Sequence, residues 1–344
     1  MPKYRFSVII PSYNRADEVV DLLKSLQAQT FEHSRFEVLV VDDGSTDATE
    51  QKVNELASQV DFHLRFFRRN HEGPGPARNF GMSQAEGEYF LFIDSDCQAD
   101  ANWLKEIDEA ITKEAPDAFG GPDSVLDSFT PLQKAIDYSM TSFLTTGGMR
   151  GHSQKRLAKF YPRSFNMGIR REVYEKLGGM GNLRHGQDIE FSRRIVASGA
   201  KVIYIPNAIV YHKRRTSLRK FFRQMFNWGV ARINLSYLDA GNLEPLHFIP
   251  AIAAVGYTLL TIFTLLTGLA WKIWVAITVL ALLICGYIFI DSSIKYKSVK
   301  VGWLAPIFAV CQIFAYGYGF TYNYVRRKIF RRGEVTGFVR RYYQ

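Results

Sequence analysis

The chain divides by the length and period of its apolar runs. In the first part, short runs rich in β-branched and aromatic residues each end in a polar turn. Phe6-Ser7-Val8-Ile9-Ile10 leads into Pro11-Ser12-Tyr13-Asn14-Arg15, and Phe36-Glu37-Val38-Leu39-Val40-Val41 leads into Asp42-Asp43-Gly44-Ser45-Thr46-Asp47. Tyr89-Phe90-Leu91-Phe92-Ile93 leads into Asp94-Ser95-Asp96. Such runs predict strands buried on both faces, and the helical segments between them sit at the spacing of βαβ units. Ser45 or Thr46 is the expected N-cap of the helix after the second run. The pattern predicts an α/β domain built on a Rossmann-like sheet. Asp123 to Phe165 has weak periodicity. Its Gly147 to His152 and Lys155-Arg156 segments read equally as a solvated surface loop or as a mobile loop that closes over a bound ligand.

From about His247 the pattern changes. Phe248 to Leu269 is 22 residues without a formal charge, and Ile273 to Ile290 is another 18. Val301 to Val325 is a third uncharged stretch, interrupted by Pro306 and several glycines. A membrane span needs about 17 to 25 apolar residues, so these segments predict membrane embedding. The first two, separated only by Ala270-Trp271-Lys272, predict a tight hairpin. Lys and Arg favour the cytoplasmic side. A cytoplasmic N-terminal domain, a hairpin and a cytoplasmic Asp291 to Lys300 loop satisfy that rule. A third full span would carry Arg326-Arg327-Lys328 and Arg331-Arg332 outside: either that tail breaks the rule, or one segment is re-entrant or interfacial, and Pro306 with Gly317 and Gly319 makes the third stretch the candidate. The expected location is the inner (plasma) membrane, multi-pass, with no cleavable signal ahead of the first strand.

Between these regions, Leu218, Phe221, Phe222, Met225, Trp228 and Ile233 follow helical spacing, with Arg219, Lys220 and Arg223 on the other side. A stripe of this kind packs in a core or lies on a membrane surface; the basic residues and the apolar segment that follows favour the surface. The expected organisation is an α/β domain over 1–215, an amphipathic interfacial region over 216–246, membrane segments over 247–325 in two or three helices, and a basic tail over 326–344.

The chemistry gathers at the strand ends. Alternation points Asp94 and Asp96 to one side of their strand, with Ser95 turned away. In open α/β sheets ligands bind beyond the carboxyl ends of the strands, and two carboxylates there suit Mg2+ or Mn2+. A lone Asp-x-Asp is a common loop sequence; three polar strand ends at one edge are not.

With Pro11-Ser-Tyr-Asn14, Val41-Asp-Asp-Gly-Ser-Thr-Asp47, Pro76-Ala-Arg-Asn79, Gly87 to Asp96, Gln187-Asp188 and Tyr211-His212, the chain resembles the inverting family 2 glycosyltransferases over roughly residues 5 to 215. The resemblance implies a GT-A catalytic domain, Rossmann-like with a mixed, mostly parallel sheet, followed here by the C-terminal transmembrane helices. It also implies a nucleotide-diphosphate sugar donor and Mg2+ or Mn2+. It assigns Asp96 and His212 to the metal, and Pro11, Tyr13, Asn14, Asp43, Arg78, Asp94 and Ser95 to the donor. It makes Asp188 the candidate base that takes the acceptor hydroxyl proton, with Glu190 next in line. Ser164 and Asn166 fall at a position near the sugar. The family usually has Glu-Asp where this chain has Gln187-Asp188, which removes a neighbouring charge from the base. Without the resemblance, Asp188 reads as a helix cap.

Net charge is +10, from 43 Lys and Arg against 33 Asp and Glu. The excess clusters at Lys213 to Arg223 and at Arg326 to Arg341, beside apolar segments, which points to membrane lipids as partners and not to nucleic acid. Cys97, Cys285 and Cys311 are too scattered for a disulfide framework. The expected acceptor is a lipid-linked molecule or a glycan. Two alternatives remain. A processive polysaccharide synthase resembles this chain but carries Gln-x-x-Arg-Trp where Gln224 to Trp228 has Asn227. A non-catalytic nucleotide-sugar-binding scaffold in the membrane would not need the full set of carboxylates.

Overall fold

The computed structural model describes residues 2–146, 160–181, 183, 186–238, 241 and 243–333. The chain forms two compact units, Met1–Leu126 with Gly148–Lys213, and Asp127–Gly147 with Arg214–Gln344. The segment after Leu126 therefore leaves the expected 1–215 domain and joins the helical unit. The Gly147 to His152 and Lys155-Arg156 loop lies outside the described residues.

The first unit contains strands β1 (Tyr4–Ser12), β2 (Phe36–Asp42), β3 (His63–Arg68), β4 (Gly87–Ile93), β5 (Cys97–Ala99), β6 (Ala118–Gly120), β7 (Asp123–Ser124), β8 (Asn166–Arg170), β9 (Val202–Tyr204) and β10 (Val210–His212). Seven of them form one sheet in the order β3-β2-β1-β4-β8-β6-β9. Its pairs are parallel except those that β8 makes with β4 and β6. This is the expected mixed, mostly parallel sheet. Helices α1 (Ala16–Gln27), α2 (Thr49–Ala57), α3 (Pro74–Gln84), α4 (Trp103–Glu114), α7 (Arg171–Leu177) and α8 (Gln187–Ala197) complete the unit.

Strand alternation divides the buried residues between two cores. Phe6, Val8 and Ile10 of β1 and Tyr89, Leu91 and Ile93 of β4 pack with residues of α1 and α4. Ile9, Phe90 and Phe92 pack with Met82 of α3 and Phe191 and Ile195 of α8. Glu37 is fully buried in the middle of this apolar sheet. Its carboxylate accepts from Ser7 Oγ (2.6 Å), the Glu86 N–H (2.6 Å) and Arg65 Nη1 (3.1 Å), which satisfies the charge.

The second unit is helical: α5 (Pro131–Thr141), α6 (Phe143–Thr146), α9 (Leu218–Leu235), α10 (Ile249–Thr267), α11 (Trp271–Lys295) and α12 (Val299–Tyr324). Among the described residues, three helices are long and apolar enough to cross a membrane, over Pro245–Thr267, Trp271–Lys295 and Val299–Ile329. Gly268 and Ala270, both at positive φ, make the turn between α10 and α11. Trp274 Nε1 donates to Thr261 Oγ1 across that hairpin (3.0 Å).

The stripe on α9 divides. Phe221 and Met225 are buried in one cluster with Phe308, Ala309 and Ala315 of α12, and Ile233 is buried in another with Ala251 and Phe320. Leu218 and Phe222 stay exposed. Core packing thus claims most of the stripe expected to face lipid. The third apolar stretch is one continuous helix through Pro306, so it is not broken there. Its glycines are points of close approach: a Cβ on Gly319 would strike the Phe226 carbonyl, and one on Gly317 the Pro250 carbonyl.

A polar knot lies inside this unit. Arg214 Nη2 bonds Asp137 Oδ1 at 2.7 Å, both side chains being almost fully buried. Tyr296 OH donates to Asp137 Oδ2 (2.7 Å) and Tyr138 OH to Asp291 Oδ2 (2.6 Å). Burial, with Asp291 beside Tyr138 and Asp137 beside Tyr296, pushes both phenols far above their usual range, so they remain protonated donors. Removing one partner of a buried pair leaves an uncompensated charge and costs about 3–5 kcal/mol. Asp137→Ala is expected to lower thermal stability by that order in detergent-solubilised protein, and adding Arg214→Met to it should recover part of the loss.

Candidate active site

The register pairs Ser12 of β1 with Asp42 of β2, and Ile9 with Phe92 of β4, so the carboxyl ends of the three strands lie along one edge. Pro11 and Ser12 are buried strand residues there, and Asn14, at φ 50, starts the turn beyond them. The Asn14 N–H donates to Ser45 Oγ (2.8 Å), and its side-chain oxygen accepts from the Thr46 N–H (2.7 Å). Asn14 therefore joins the loops after β1 and β2. Asp42 is fully buried and accepts from the Ser45 N–H (2.9 Å). Asp47 accepts from the N–H groups of Ala16 (3.2 Å) and Thr49 (3.1 Å). The start of α2 is thus held by Asp47 and not by Ser45 or Thr46, whose polar groups serve the turn.

Asp43 is buried and meets the turn after β3. Its oxygens accept from the N–H groups of Glu72 (2.8 Å) and Gly73 (2.9 Å), and His71 Nδ1 lies 2.8 Å away. The Tyr13 ring stacks on His71 with centroids 4.2 Å apart. Tyr13 and Asp43 are therefore brought together by His71, which no sequence motif singles out.

Arg78, on α3, is buried and donates through Nη2 to Asp94 and through Nη1 to the Pro74 carbonyl (3.3 Å). Ser95 is buried. Asp96 turns to different partners, Arg15 Nη1 at 3.3 Å and His212 Nε2 at 3.2 Å. A three-stranded sheet in the order β5-β10-β7 arranges this corner. It sets His212 opposite Cys97 and Val210 opposite Asp123. Ligand atoms of Asp96, Cys97 and His212 lie within 4.8 Å of one another. Among the described residues, His212 Nδ1 is buried without a hydrogen-bond partner and faces Asp123 Oδ2 at 3.9 Å. A carboxylate and an imidazole converging in this way fit a divalent cation, with the imidazole favouring Mn2+ over Mg2+.

Asp188 sits in the first turn of α8, where the helix dipole favours negative charge. Arg163 Nη1 is 3.9 Å from its carboxylate. Two residues further on, Phe165 packs against His212 with centroids 5.5 Å apart, so one short stretch touches both Asp188 and the Asp96–His212 corner. Glu190 is engaged elsewhere: Arg194 holds it through Nε (2.5 Å) and Nη2 (3.1 Å) while bonding the carbonyls of Leu177 (2.9 Å) and Gly179 (2.6 Å). Asn166 is also committed. It accepts from Trp103 Nε1 (3.0 Å) and donates to the carbonyls of Pro122 (3.0 Å) and Ala208 (2.7 Å), so it clamps the fold and does not face a sugar.

The profile of Glycosyl transferase family 2 matches residues 7–178, half of the 344-residue chain. The chain belongs to that family. Glycosyltransferase AglE of Haloferax volcanii is 27% identical over 252 residues, covering 73% of this chain and 80% of its own length. The dolichyl N-acetyl-alpha-D-glucosaminyl phosphate 3-beta-D-2,3-diacetamido-2,3-dideoxy-beta-D-glucuronosyltransferase of Methanococcus voltae is 24% identical over 269 residues, covering 75% and 83%. Among solved structures, the mannosyltransferase PcManGT of Pyrobaculum calidifontis, in complex with GDP-Man and Mn2+, superposes with a TM-score of 0.63 at 17% identity over 91% of this chain and 88% of its own. That likeness shows the GT-A fold.

For a family 2 glycosyltransferase the departure at Gln187 has a structural reading. Gln187 is buried against α3, and a Cβ on Gly75 would collide with its amide. The amide fills this contact without placing a second charge beside Asp188. Two variants separate ligand from clamp. Asp96→Asn is expected to weaken Mn2+ binding, followed by electron paramagnetic resonance, at least tenfold. The isosteric amide should leave the metal-free chain folded, as checked by circular dichroism. Asn166→Ala strands buried donors and acceptors and is expected to cost about 2–4 kcal/mol in thermal unfolding.

Proposed function

We propose that this family 2 glycosyltransferase is a membrane-attached inverting enzyme that moves a sugar from a nucleotide-diphosphate donor to a lipid-linked acceptor. The observation that carries the proposal is the grouping at one sheet edge of Asp96 with His212, of Arg78 with Asp94, and of Asp188 with Arg163. Asp96 and His212 would hold Mn2+ or Mg2+, which supplies countercharge for the departing diphosphate. Arg15, Arg78 and Arg163 add positive charge around the same edge. Tyr13 and His71 offer a stacked aromatic surface for the base, with Asp43 as its hydrogen-bond acceptor.

Inversion requires a base on the face of the sugar away from the leaving group, and Asp188 takes that role. Its carboxylate accepts the proton of the acceptor hydroxyl as oxygen attacks the anomeric carbon. Glu190 is unsuited because Arg194 occupies both of its oxygens. The GDP-Man bound by the Pyrobaculum enzyme and the dolichyl-linked acceptor named for the Methanococcus enzyme support the substrate classes. The three apolar helices support a lipid carrier and a plasma-membrane location with the catalytic unit in the cytoplasm. In place of the arginine that marks polysaccharide synthases, α9 carries a buried Asn227, which argues against a processive polymerase.

Asp188→Asn keeps the shape and helix-capping capacity of the side chain while removing the base. Sugar transfer is expected to fall by about a hundred- to ten-thousand-fold, with calorimetric affinity for the nucleoside diphosphate unchanged. Unchanged transfer would place the base elsewhere; lost nucleotide binding would make Asp188 a donor-side or structural residue.

A further inference from the structure

Although α12 is long enough to span a bilayer, its contacts run across one end of the α10–α11 hairpin instead of along it. The hairpin closes at Gly268–Ala270, so its open end is formed by the start of α10 and the end of α11. The first turn of α12 lies at the end of α11: a Cβ on Gly302 would meet Ser293 and Phe289, and Trp303 packs edge-on to Phe289 at 5.0 Å. Its last turns lie at the start of α10. Phe320 and Tyr324 pack on Phe248 at 5.0 and 6.4 Å, and Gly317 abuts Pro250. Between them, Phe314 meets Tyr257 and Tyr318 bonds Thr258, so α12 dips about two turns along α10 and comes back to its start. Both ends of α12 are therefore at the same end of the hairpin.

The neighbour of α12 on its other side gives the same depth. Phe221 packs on Phe308 (5.4 Å), Gly229 abuts Tyr316 and Phe320, Asn323 Nδ2 donates to the Val230 carbonyl (2.8 Å), and Arg327 donates to Asn234 Oδ1 (2.7 Å). The partners advance in step, so α9 and α12 run parallel. Helix α9 carries Arg219, Lys220 and Arg223 near one end and Arg232 near the other, with Asn227 between. A helix with that content does not cross hydrocarbon, and α12 lies beside it for most of its length. Yet α12 exposes Val299, Trp303, Ile307, Val310 and Ile313, which fall on one helical face.

We propose that only α10 and α11 cross the bilayer, and that α12 lies with α9 in the headgroup zone, its exposed stripe turned to the lipid. The proposal rests on the membrane attachment proposed above. It also leaves Arg326, Arg327, Lys328, Arg331 and Arg332 on the same side as the Asp291 to Lys300 loop. The conflict with the positive-inside rule that a third span creates then does not arise.

Side and depth can be measured separately. In inside-out membrane vesicles, trypsin is expected to cut the wild-type chain after Arg331 and Arg332 together with sites in the catalytic unit, and in spheroplasts to cut neither. Tail cleavage only from the spheroplast face would make α12 a span and overturn the proposal. Release of the whole chain into the alkaline carbonate supernatant would instead remove the membrane reading beneath it. For depth, nitroxides attached at Ile307→Cys and Ile329→Cys, with the native cysteines replaced, should show the same ratio of oxygen to nickel-chelate accessibility. A spanning α12 would separate them by about 33 Å along its axis and give opposite ratios. Loss of membrane insertion by the cysteine-replaced chain leaves the trypsin result on the wild-type chain to decide.

Discussion

Carboxylates crowded at one sheet edge repel each other unless each has its own counter-charge, and this requirement organises the catalytic unit. Two unit charges 4 Å apart interact by about 4 kcal/mol near a protein surface, which is a large share of a domain's stability. Asp42 and Asp43 draw backbone N–H groups, Asp94 draws Arg78, and Asp96 draws Arg15 and His212. The partners come from different loops, so neutralising the charges also fixes where those loops sit. Arg15 and Arg78 thereby bring positive charge to the same edge, which suits a diphosphate ligand.

Much of this is legible in the sequence because it follows from short-range pattern. Continuous apolar runs define the strands, and the residues after them must fall at the carboxyl edge whatever the details. Tyr13, Asp43, Asp94 and Asp96 stand out in that way. Their partners do not, since contact between elements far apart in the chain leaves no local signal. His71 lies in an unremarkable turn, Asp123 in a two-residue strand, and Asn166 looks like any polar residue at a strand start. Each acquires its role only when the register brings it to Asp43, His212 or Trp103. The cap of α2 differs from expectation for a related reason. Ser45, Thr46 and Asp47 are all good caps, and the demands of Asn14 and Asp42 on the first two leave the third for the helix.

In the helical unit the ambiguity is physical. An apolar stripe at helical spacing opposite basic residues has one composition for two environments, since lipid and protein interior both accept leucine and phenylalanine. What separates them is the partner. Gly229 and Gly319 let the backbones of α9 and α12 approach closely, and that contact takes Phe221 and Met225 out of reach of lipid. Removing the chain from Pro245 onward would uncover this surface, so α9 is not a free-standing membrane anchor. The glycines of α12, which in sequence suggest a broken segment, serve helix packing, as small residues do at many membrane-helix contacts.

The proposed base is narrowed by subtraction around α8. Its first turn holds two carboxylates, and a helix N-terminus would stabilise either one as an anion. Glu190 is spent on Arg194, and that pair pins the turn at Leu177 to Gly181, which Asn79 holds from the other side through the N–H and carbonyl of Met180 at 2.8 Å each. Gln187 is spent on α3, where a carboxylate would bury a charge against the Gly75 backbone. Asp188 is left partly exposed, with Arg163 at 3.9 Å as its ion-pair neighbour. That separation is too long for a hydrogen bond. A carboxylate steadied by charge but not consumed by a close contact keeps lone pairs for an incoming hydroxyl, and in this turn only Asp188 has that combination among the described residues.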